Sequence, residues 1–121
     1  MKTLREYIKE AEEKKVAIGH FNISNLETLH GIYSAAKKLN VPIIIGLSEN
    51  EEDFVGRSEA IGMIKELKIK ENFPIFLNAD HHYNFKRVQK AVDAGFDAVI
   101  FDGANLSFEE NVKIARQCVK Y

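Results

Sequence analysis

The stretch FPIFLNADHH (residues 73–82) decides how the rest of the chain is interpreted. Its apolar residues follow one another without the alternation expected of a strand with one solvent-facing side. They therefore indicate a strand covered on both faces, as in parallel sheets. Pro74 lies near the start, where a strand tolerates the missing backbone N–H. The stretch ends in Asp80, His81 and His82, three ionisable side chains with no obvious use in folding. The run FPIFLNAD (73–80) predicts a buried parallel strand, and the ionisable triplet at its carboxyl end indicates function.

Three further runs have the same apolar and β-branched character, namely VAIGHF (16–21), VPIIIGLS (41–48) and DAVIFDG (97–103). The segments between the runs carry apolar residues at helical spacing. In a capping box, a Ser or Thr and a Glu three residues later satisfy free backbone N–H groups at the start of a helix. Such boxes begin at Thr3, Ser24 and Ser107. The chain is therefore predicted to start with a helix and to continue as alternating strands and helices.

Alternating strands and helices predict an α/β fold with a parallel sheet and right-handed crossovers. The predicted organisation is one domain, residues 1–121, in which an N-terminal helix (1–15) precedes four βα units (16–121). Two architectures fit: an open doubly wound sheet, and part of a TIM (βα)8 barrel. A complete barrel takes about 250 residues, so four units correspond to half of one. An unrelated open-sheet binding module is less favoured, because HFNISN (20–25) lacks the glycine-rich phosphate turn expected after its first strand.

Composition excludes several classes of function. An apolar fraction of 45% and a charged fraction of 29% are typical of a folded globular domain rather than a disordered chain. The formal net charge of −1 gives no reason to expect nucleic acid or an anionic membrane as a partner. No apolar run approaches the roughly 20 residues that a membrane span needs, and the N-terminus has no apolar signal-peptide core. The single cysteine, Cys118, suits a reducing compartment, so we expect a cytoplasmic protein.

Each predicted strand ends in a polar side chain: Asn22, Ser48, the Asp80–His81 pair and Asp102. Because the carboxyl ends of parallel strands meet at one rim, where α/β proteins bind their ligands, we expect these side chains to form one site. A neutral imidazole is a common metal ligand, and a neighbouring carboxylate can act as an acid or a base. The alternative for Asn22 and Ser48 is that they only cap the helices that follow.

Other polar groups have simpler interpretations. The acidic run ENEED (49–53) is interpreted as a solvated loop before the next helix. His20 is interpreted as a partly exposed loop histidine, and His30 as a surface residue of the first long helix.

Five motifs, taken together and in order, point to one family: HFN (20–22), LSE (47–49), ADHH (79–82), AGFDAVIFDGA (94–104) and LSFEEN (106–111). They resemble the first half of the zinc-dependent class II ketose-bisphosphate aldolases, the fructose- and tagatose-bisphosphate enzymes. The resemblance runs through all 121 residues. It implies the N-terminal half of a (βα)8 barrel. It also implies reversible aldol cleavage of fructose- or tagatose-1,6-bisphosphate to glycerone phosphate and glyceraldehyde 3-phosphate.

The resemblance also implies roles for single residues. Asp80 corresponds to the acid/base that moves the proton at the cleaved bond, and His81 corresponds to a ligand of the catalytic zinc. Asp102 matches an acidic position near a second metal-binding location. Asn22 and Ser48 match positions that line the substrate pocket.

The sequence departs from the family in several places. Asn78 stands where the family usually has His, and Ser107 stands where Pro is usual. His82 is not a departure, because it matches the tagatose-type variant of the motif. The family's other zinc-binding histidines and its phosphate loops come from the second half of the barrel. We therefore expect the lone chain to be inactive or incomplete, with zinc bound weakly or not at all. The expected partner is a complementary C-terminal half chain or a second copy in a closed eight-stranded homodimer, with a phosphorylated sugar as substrate.

Overall fold

The computed structural model describes residues 2–121, so Met1 of the predicted N-terminal helix lies outside the described residues. Within that range the helices and strands alternate as the sequence predicts, with one additional helix after the second strand. The elements are α1 (Leu4–Lys14), β1 (Gly19–Asn22), α2 (Leu26–Leu39), β2 (Ile43–Leu47), α3 (Glu49–Val55), α4 (Arg57–Lys70), β3 (Ile75–His82), α5 (Phe85–Ala94), β4 (Ala98–Phe101) and α6 (Phe108–Lys120). None of the helices described here is long and apolar enough to cross a membrane.

The four strands form one parallel sheet in the order β1-β2-β3-β4. A doubly wound sheet reverses its strand order at a switch point, whereas a (βα)8 barrel adds each strand beside the previous one. The observed order has no reversal, so the predicted half of a (βα)8 barrel is confirmed. In the shared register, Asn22 lies beside Gly46 and Gly46 beside Asn78. The carboxyl ends of β1, β2 and β3 therefore lie side by side at one rim of the sheet.

The two faces of the sheet are covered by different elements. One face packs against the helices, and its buried core includes Leu29 of α2, Ile45 of β2 and Leu77 of β3. Burying a side chain of this size contributes about 1.5–3 kcal/mol. On the other face, which lines the interior of a barrel, Phe76 is buried beneath Tyr7 of α1, with ring centroids 5.6 Å apart. Helix α1 therefore closes the amino-terminal end of the barrel interior.

Helix α3 corrects the interpretation of residues 49–53, which are not a solvated loop. Ser48 and Glu51 form a capping box directly after β2, with the same pattern as the boxes at Thr3 and Ser107. The box satisfies the first free N–H groups, so a helix begins at once. Glu52 of this helix is buried, only 3% exposed.

Two further boundaries differ from the prediction. Ser24 does not cap α2, because the side chain of Asn25, one residue later, accepts the hydrogen bond from the N–H of Thr28. Strand β3 extends through His82, two residues beyond the apolar run, and β1 begins only at Gly19.

Candidate active site

The structure brings four of the predicted site residues together at the carboxyl ends of the strands. We call Asn22, Asp80, His81 and Asp102 the rim cluster. Nδ2 of Asn22 donates to Oδ2 of Asp80 at 3.1 Å, and Nδ1 of His81 lies 2.8 Å from Oδ2 of Asp102. Nε2 of His81 is 3.9 Å from Oδ1 of Asp80. The cluster therefore links β1, β3 and β4 through one continuous series of polar contacts.

The position of His81 depends on a β-bulge. Ala79 pairs with Val99 and His82 with Phe101, so β3 contains one residue more than β4 between these pairs. His81 absorbs the extra residue with φ 51°, a left-handed conformation that is uncommon outside glycine. A bulge re-aims the side chains beside it. Here the His81 imidazole turns toward Asp102 of the neighbouring strand.

The bulge also decides where the next side chain lies. Regular alternation would place His82 on the same face as Asp80, inside the barrel. Instead, His82 is 0% exposed and its Nε2 lies 3.5 Å from Oε2 of Glu52 in α3. Burial lowers the pKa of His82, while the carboxylate of Glu52 opposes that shift. His82 is therefore not part of the rim cluster.

The contact between His81 and Asp102 shifts the pKa of both residues. The hydrogen bond to Asp102 raises the pKa of His81, and the charge of Asp80 adds to the effect. The hydrogen bond from the N–H of Ala104 lowers the pKa of Asp102, and the bond with His81 lowers it further. Each partner thus favours the charged form of the other.

Asp80 is held by an amide that it shares with a second carboxylate. Nδ2 of Asn22 also donates to Oε2 of Glu51 at 2.8 Å, so both of its hydrogens are used by carboxylates. Burial raises the pKa of Glu51, but the bonds from Ser48 and Asn22 together outweigh burial and lower it. The side chain of Asp80 is 13% exposed. Asp80 is therefore fixed in direction but still reachable from solvent.

Ser48 joins this arrangement only indirectly. Its hydroxyl and its N–H both donate to Oε2 of Glu51, at 2.8 and 2.7 Å. The capping alternative therefore holds for Ser48, whereas Asn22 does not cap α2. Glu51 was missed in the sequence because its position within an acidic run indicated solvent; the pattern S-x-x-E at 48–51 was the signal that could have found it.

A second polar layer lies beneath the rim cluster. Nε2 of His20 is 3.0 Å from Nδ2 of Asn78, and Asn78 is buried. A Cβ added to Gly46 would lie 2.6 Å from Oδ1 of Asn22 and 2.6 Å from Cε1 of His20. Glycine at position 46 thus makes room for both side chains. His20 was predicted to be a partly exposed loop residue. It is exposed, but it lies in strand β1, on the face that lines the barrel interior.

The rim cluster fits a metal ion only in part. Asp102 occupies Nδ1 of His81, which leaves Nε2 as the nitrogen available to a metal, the usual arrangement of a carboxylate, a histidine and a metal. A catalytic zinc takes three protein ligands. In residues 2–121, however, no three His, Cys, Asp or Glu side chains are grouped so that they could hold a metal. The described residues therefore offer one oriented imidazole nitrogen, which is not a complete ligand set for zinc.

Comparison with known proteins assigns the chain to a family. Residues 2–121 match the model of the family described as fructose-bisphosphate aldolase class-II. The chain belongs to the class II fructose-bisphosphate aldolase family. It is 37% identical over 122 residues to a fructose-bisphosphate aldolase of Geobacillus stearothermophilus. It is 32% identical over 124 residues to one of Staphylococcus epidermidis. The resemblance found in the sequence is thus confirmed.

Solved structures agree on the fold. The crystal structure of the YdjI aldolase of Escherichia coli K12 matches with a TM-score of 0.87 and 26% identity, over 99% of this chain and 47% of that chain. Fructose-bisphosphate aldolase of Campylobacter jejuni matches with a TM-score of 0.79 and 20% identity, over 94% of this chain and 40% of that one, and this likeness concerns the fold alone. The two curated relatives are covered to 42% and 43% of their length, against 98% of this chain. The chain therefore spans less than half the length of these relatives and corresponds to their N-terminal half.

Proposed function

We propose that this chain, as a single half-barrel domain, supplies the proton-transferring carboxylate and one metal ligand of a ketose-bisphosphate aldolase. The reaction is the reversible cleavage of fructose- or tagatose-1,6-bisphosphate to glycerone phosphate and glyceraldehyde 3-phosphate. The observation that carries the proposal is the rim cluster, in which Asp80 and His81 stand side by side at the carboxyl ends of the strands. Membership of the class II family gives the chemistry to which this pair is suited.

Asp80 is the residue that moves the proton. In the cleavage direction its carboxylate takes the proton of the C4 hydroxyl, and the C3–C4 bond breaks. The bonding electrons stay on the C1–C3 fragment as an enediolate, which becomes glycerone phosphate. The amide of Asn22 fixes Oδ2 of Asp80, so Oδ1 remains for the substrate. A positioned carboxylate of this kind contributes about 10²- to 10⁴-fold to a reaction rate.

His81 is the metal ligand of this half, through Nε2. Class II aldolases are metal-dependent, and zinc is the metal proposed here; when bound, it supplies a Lewis acid for the negative charge of the enediolate. Asp102 holds Nδ1 of His81 and so keeps the ring in one orientation. That contact supports an orienting role for Asp102, and its direct binding to a metal, as the sequence suggested, stays a prediction.

Asn22 and Ser48 are proposed to line the substrate pocket, as the sequence suggested. Their position at the rim supports this, although the amide hydrogens of Asn22 are already bonded to carboxylates. The preference for fructose or tagatose does not come from direct contact with His82, which is fully buried behind β3.

A complete site needs the other half of the barrel. Relatives are more than twice the length of this chain, and the described residues hold one metal ligand of the three that catalytic zinc takes. We therefore assign the chain a complementary C-terminal half as its partner. The single cysteine, which suits a reducing compartment, supports a cytoplasmic location.

One observation favours a second candidate, a non-catalytic scaffold that dimerises. In the sheet described here β1 and β4 each pair on one side only. Natural proteins avoid exposed strand edges. Exposed apolar side chains lie in β1 (Phe21), in β4 (Ile100) and at the start of α6 (Phe108), and such patches are uncommon in monomers. In a twofold dimer, β4 of one copy would pair with β1 of the other and close eight strands.

Complementation tests the proposed function. The chain is combined with the unmatched C-terminal part of the Geobacillus stearothermophilus relative, and cleavage of both bisphosphates is measured with zinc present. Activity that requires both pieces is expected. A complex that forms in sedimentation but cleaves neither sugar would favour the scaffold instead.

A further inference from the structure

Helix α3 contacts both residues that follow His81 in the chain. Oε1 of Glu49 accepts the hydrogen bond from the N–H of Tyr83 at 2.9 Å. Oε2 of Glu52 lies 3.5 Å from Nε2 of His82. The side chains of Glu52 and His82 are 2% and 0% exposed, so this second contact takes place in the protein interior. Glu49 and Glu52 of α3 thus face the end of β3 and the residue that follows it.

Arginine side chains make the burial of Glu52 possible. Arg87 of α5 donates from Nη1 to Oε1 of Glu52 at 2.9 Å, and Arg57 pairs with the same oxygen. Arg87 also holds exposed Asp53 through two bonds of 2.7 and 2.6 Å. A buried carboxylate is strongly unfavourable unless it is paired and hydrogen-bonded. The two guanidinium groups meet that need at Oε1, whereas Oε2, which faces His82, accepts no hydrogen bond from the described residues. Arg87 also ties α3 to the first turn of α5.

The backbone of His81 is therefore fixed on two sides. Toward β4, the N–H of Asp102 donates to the carbonyl of His82 at 2.8 Å. Toward α3, the N–H of Tyr83 is bonded to Glu49, and the buried carboxylate of Glu52 lies against His82 without a hydrogen bond. A non-glycine residue in the left-handed region persists only where its surroundings impose that conformation. The φ of 51° at His81 meets this description.

We propose that Glu49 and Glu52 are positioning residues, which hold His81 in its left-handed conformation and so keep its imidazole on Asp102. The inference deepens the proposed function and rests on it for the consequence in catalysis. The positioning itself depends only on the contacts between α3 and the loop after β3.

The test uses nuclear magnetic resonance on the whole chain. The backbone shifts of His81 report its φ, and its ring nitrogen shifts report the bond to Asp102. In Glu49→Ala, both should move toward the values of an extended, unbonded histidine. Glu49→Gln keeps an acceptor oxygen for the N–H of Tyr83 and should restore the wild-type shifts. Asp53→Ala is the matched control, because it removes a carboxylate from the same helix and the same arginine without touching the loop.

Glu52→Gln is the second variant, and it should shift the same signals because it removes the buried charge that faces His82 and the two arginines. Should that variant fail to fold, Glu49→Ala decides, since Glu49 is only partly buried. Unchanged His81 signals in Glu49→Ala would overturn the inference. The complemented enzyme provides the catalytic readout, with a loss of roughly 10- to 100-fold expected for Glu49→Ala. If the His81 signals shift in Glu49→Ala while the complemented wild-type enzyme has no activity, the positioning is upheld and the proposed function is contradicted.

Discussion

His81 and Asp102 are joined across two neighbouring strands, with Nδ1 of the imidazole 2.8 Å from Oδ2 of the carboxylate. The bulge in β3 makes this contact possible, because it turns the His81 side chain sideways toward β4. The two residues lie 21 positions apart in the sequence, and each changes the ionisation of the other.

The first prediction concerns pH. The raised pKa of His81 means that its stabilising contribution is complete below the ordinary value of 6.5 and is lost as the pH rises through the raised value. The lowered pKa of Asp102 means that its contribution is present above 3.8 and is lost as the pH falls through the lowered value. The pair therefore stabilises the folded chain most between pH 3.8 and pH 6.5. Asp102→Asn should lower the pKa of His81, measured from its ring signals, while Asp93→Asn on α5 should leave it unchanged. The same His81 pKa in both variants would contradict the pairing of His81 with Asp102.

The second prediction compares two glycines. Gly46→Ala introduces a Cβ 2.6 Å from Asn22 and His20. Both contacted atoms are the ends of side chains on exposed residues, so they can turn aside, and the substitution should destabilise the chain by only about 1 kcal/mol, the lower end of overpacking. It should weaken the activity of a complemented enzyme by displacing Asn22. Gly62→Ala in α4 meets no atom within 4 Å, and it should stabilise the chain by roughly 0.5–1 kcal/mol because alanine favours helix. Urea unfolding measures both. Equal effects of the two substitutions would argue against the crowded interior described for Gly46.

The third prediction concerns assembly without a complementary half. Sedimentation should give a species of twice the 13.8 kDa of one chain. Ile100→Lys places a charge on an exposed apolar residue of the outer strand β4 and should dissociate that species, whereas Ile69→Lys, at an exposed position at the end of α4, should not. A stable, well-folded monomer at micromolar concentration would exclude the dimer.

The fourth prediction concerns metal. The isolated chain should bind zinc with at best micromolar affinity, because its rim offers one imidazole nitrogen and too few further ligands. Calorimetry measures this affinity, and His81→Ala should abolish it. Stoichiometric zinc that survives dialysis against a mild chelator would mean that further ligands contribute, such as His20 or a partner chain.

Local sequence predicted what depends on local physics. Most of strand β3 follows from the nearly continuous apolar run in FPIFLNAD (73–80), whereas its last two residues do not. The rim position of Asn22, Asp80, His81 and Asp102 follows from the geometry shared by all parallel strands. The helix starts at Thr3 and Ser107 follow from their capping boxes.

What the sequence did not predict depends on contacts between distant segments or on small local choices. Ser24 and Asn25 compete as caps one residue apart, and the final geometry selects Asn25. The bond between Glu51 and Asn22 spans 29 residues and requires the register of β1 with β2. The bulge at His81 reverses the face of His82, which simple alternation cannot anticipate.

In the proposed function, Asp80 transfers the proton while His81 binds the metal. The most direct test of these two roles measures turnover and zinc content together in the complemented enzyme. Asp80→Ala should lower cleavage of the bisphosphate by about 10²- to 10⁴-fold and leave zinc content largely intact, whereas His81→Ala should remove both. Full activity in Asp80→Ala would contradict the account.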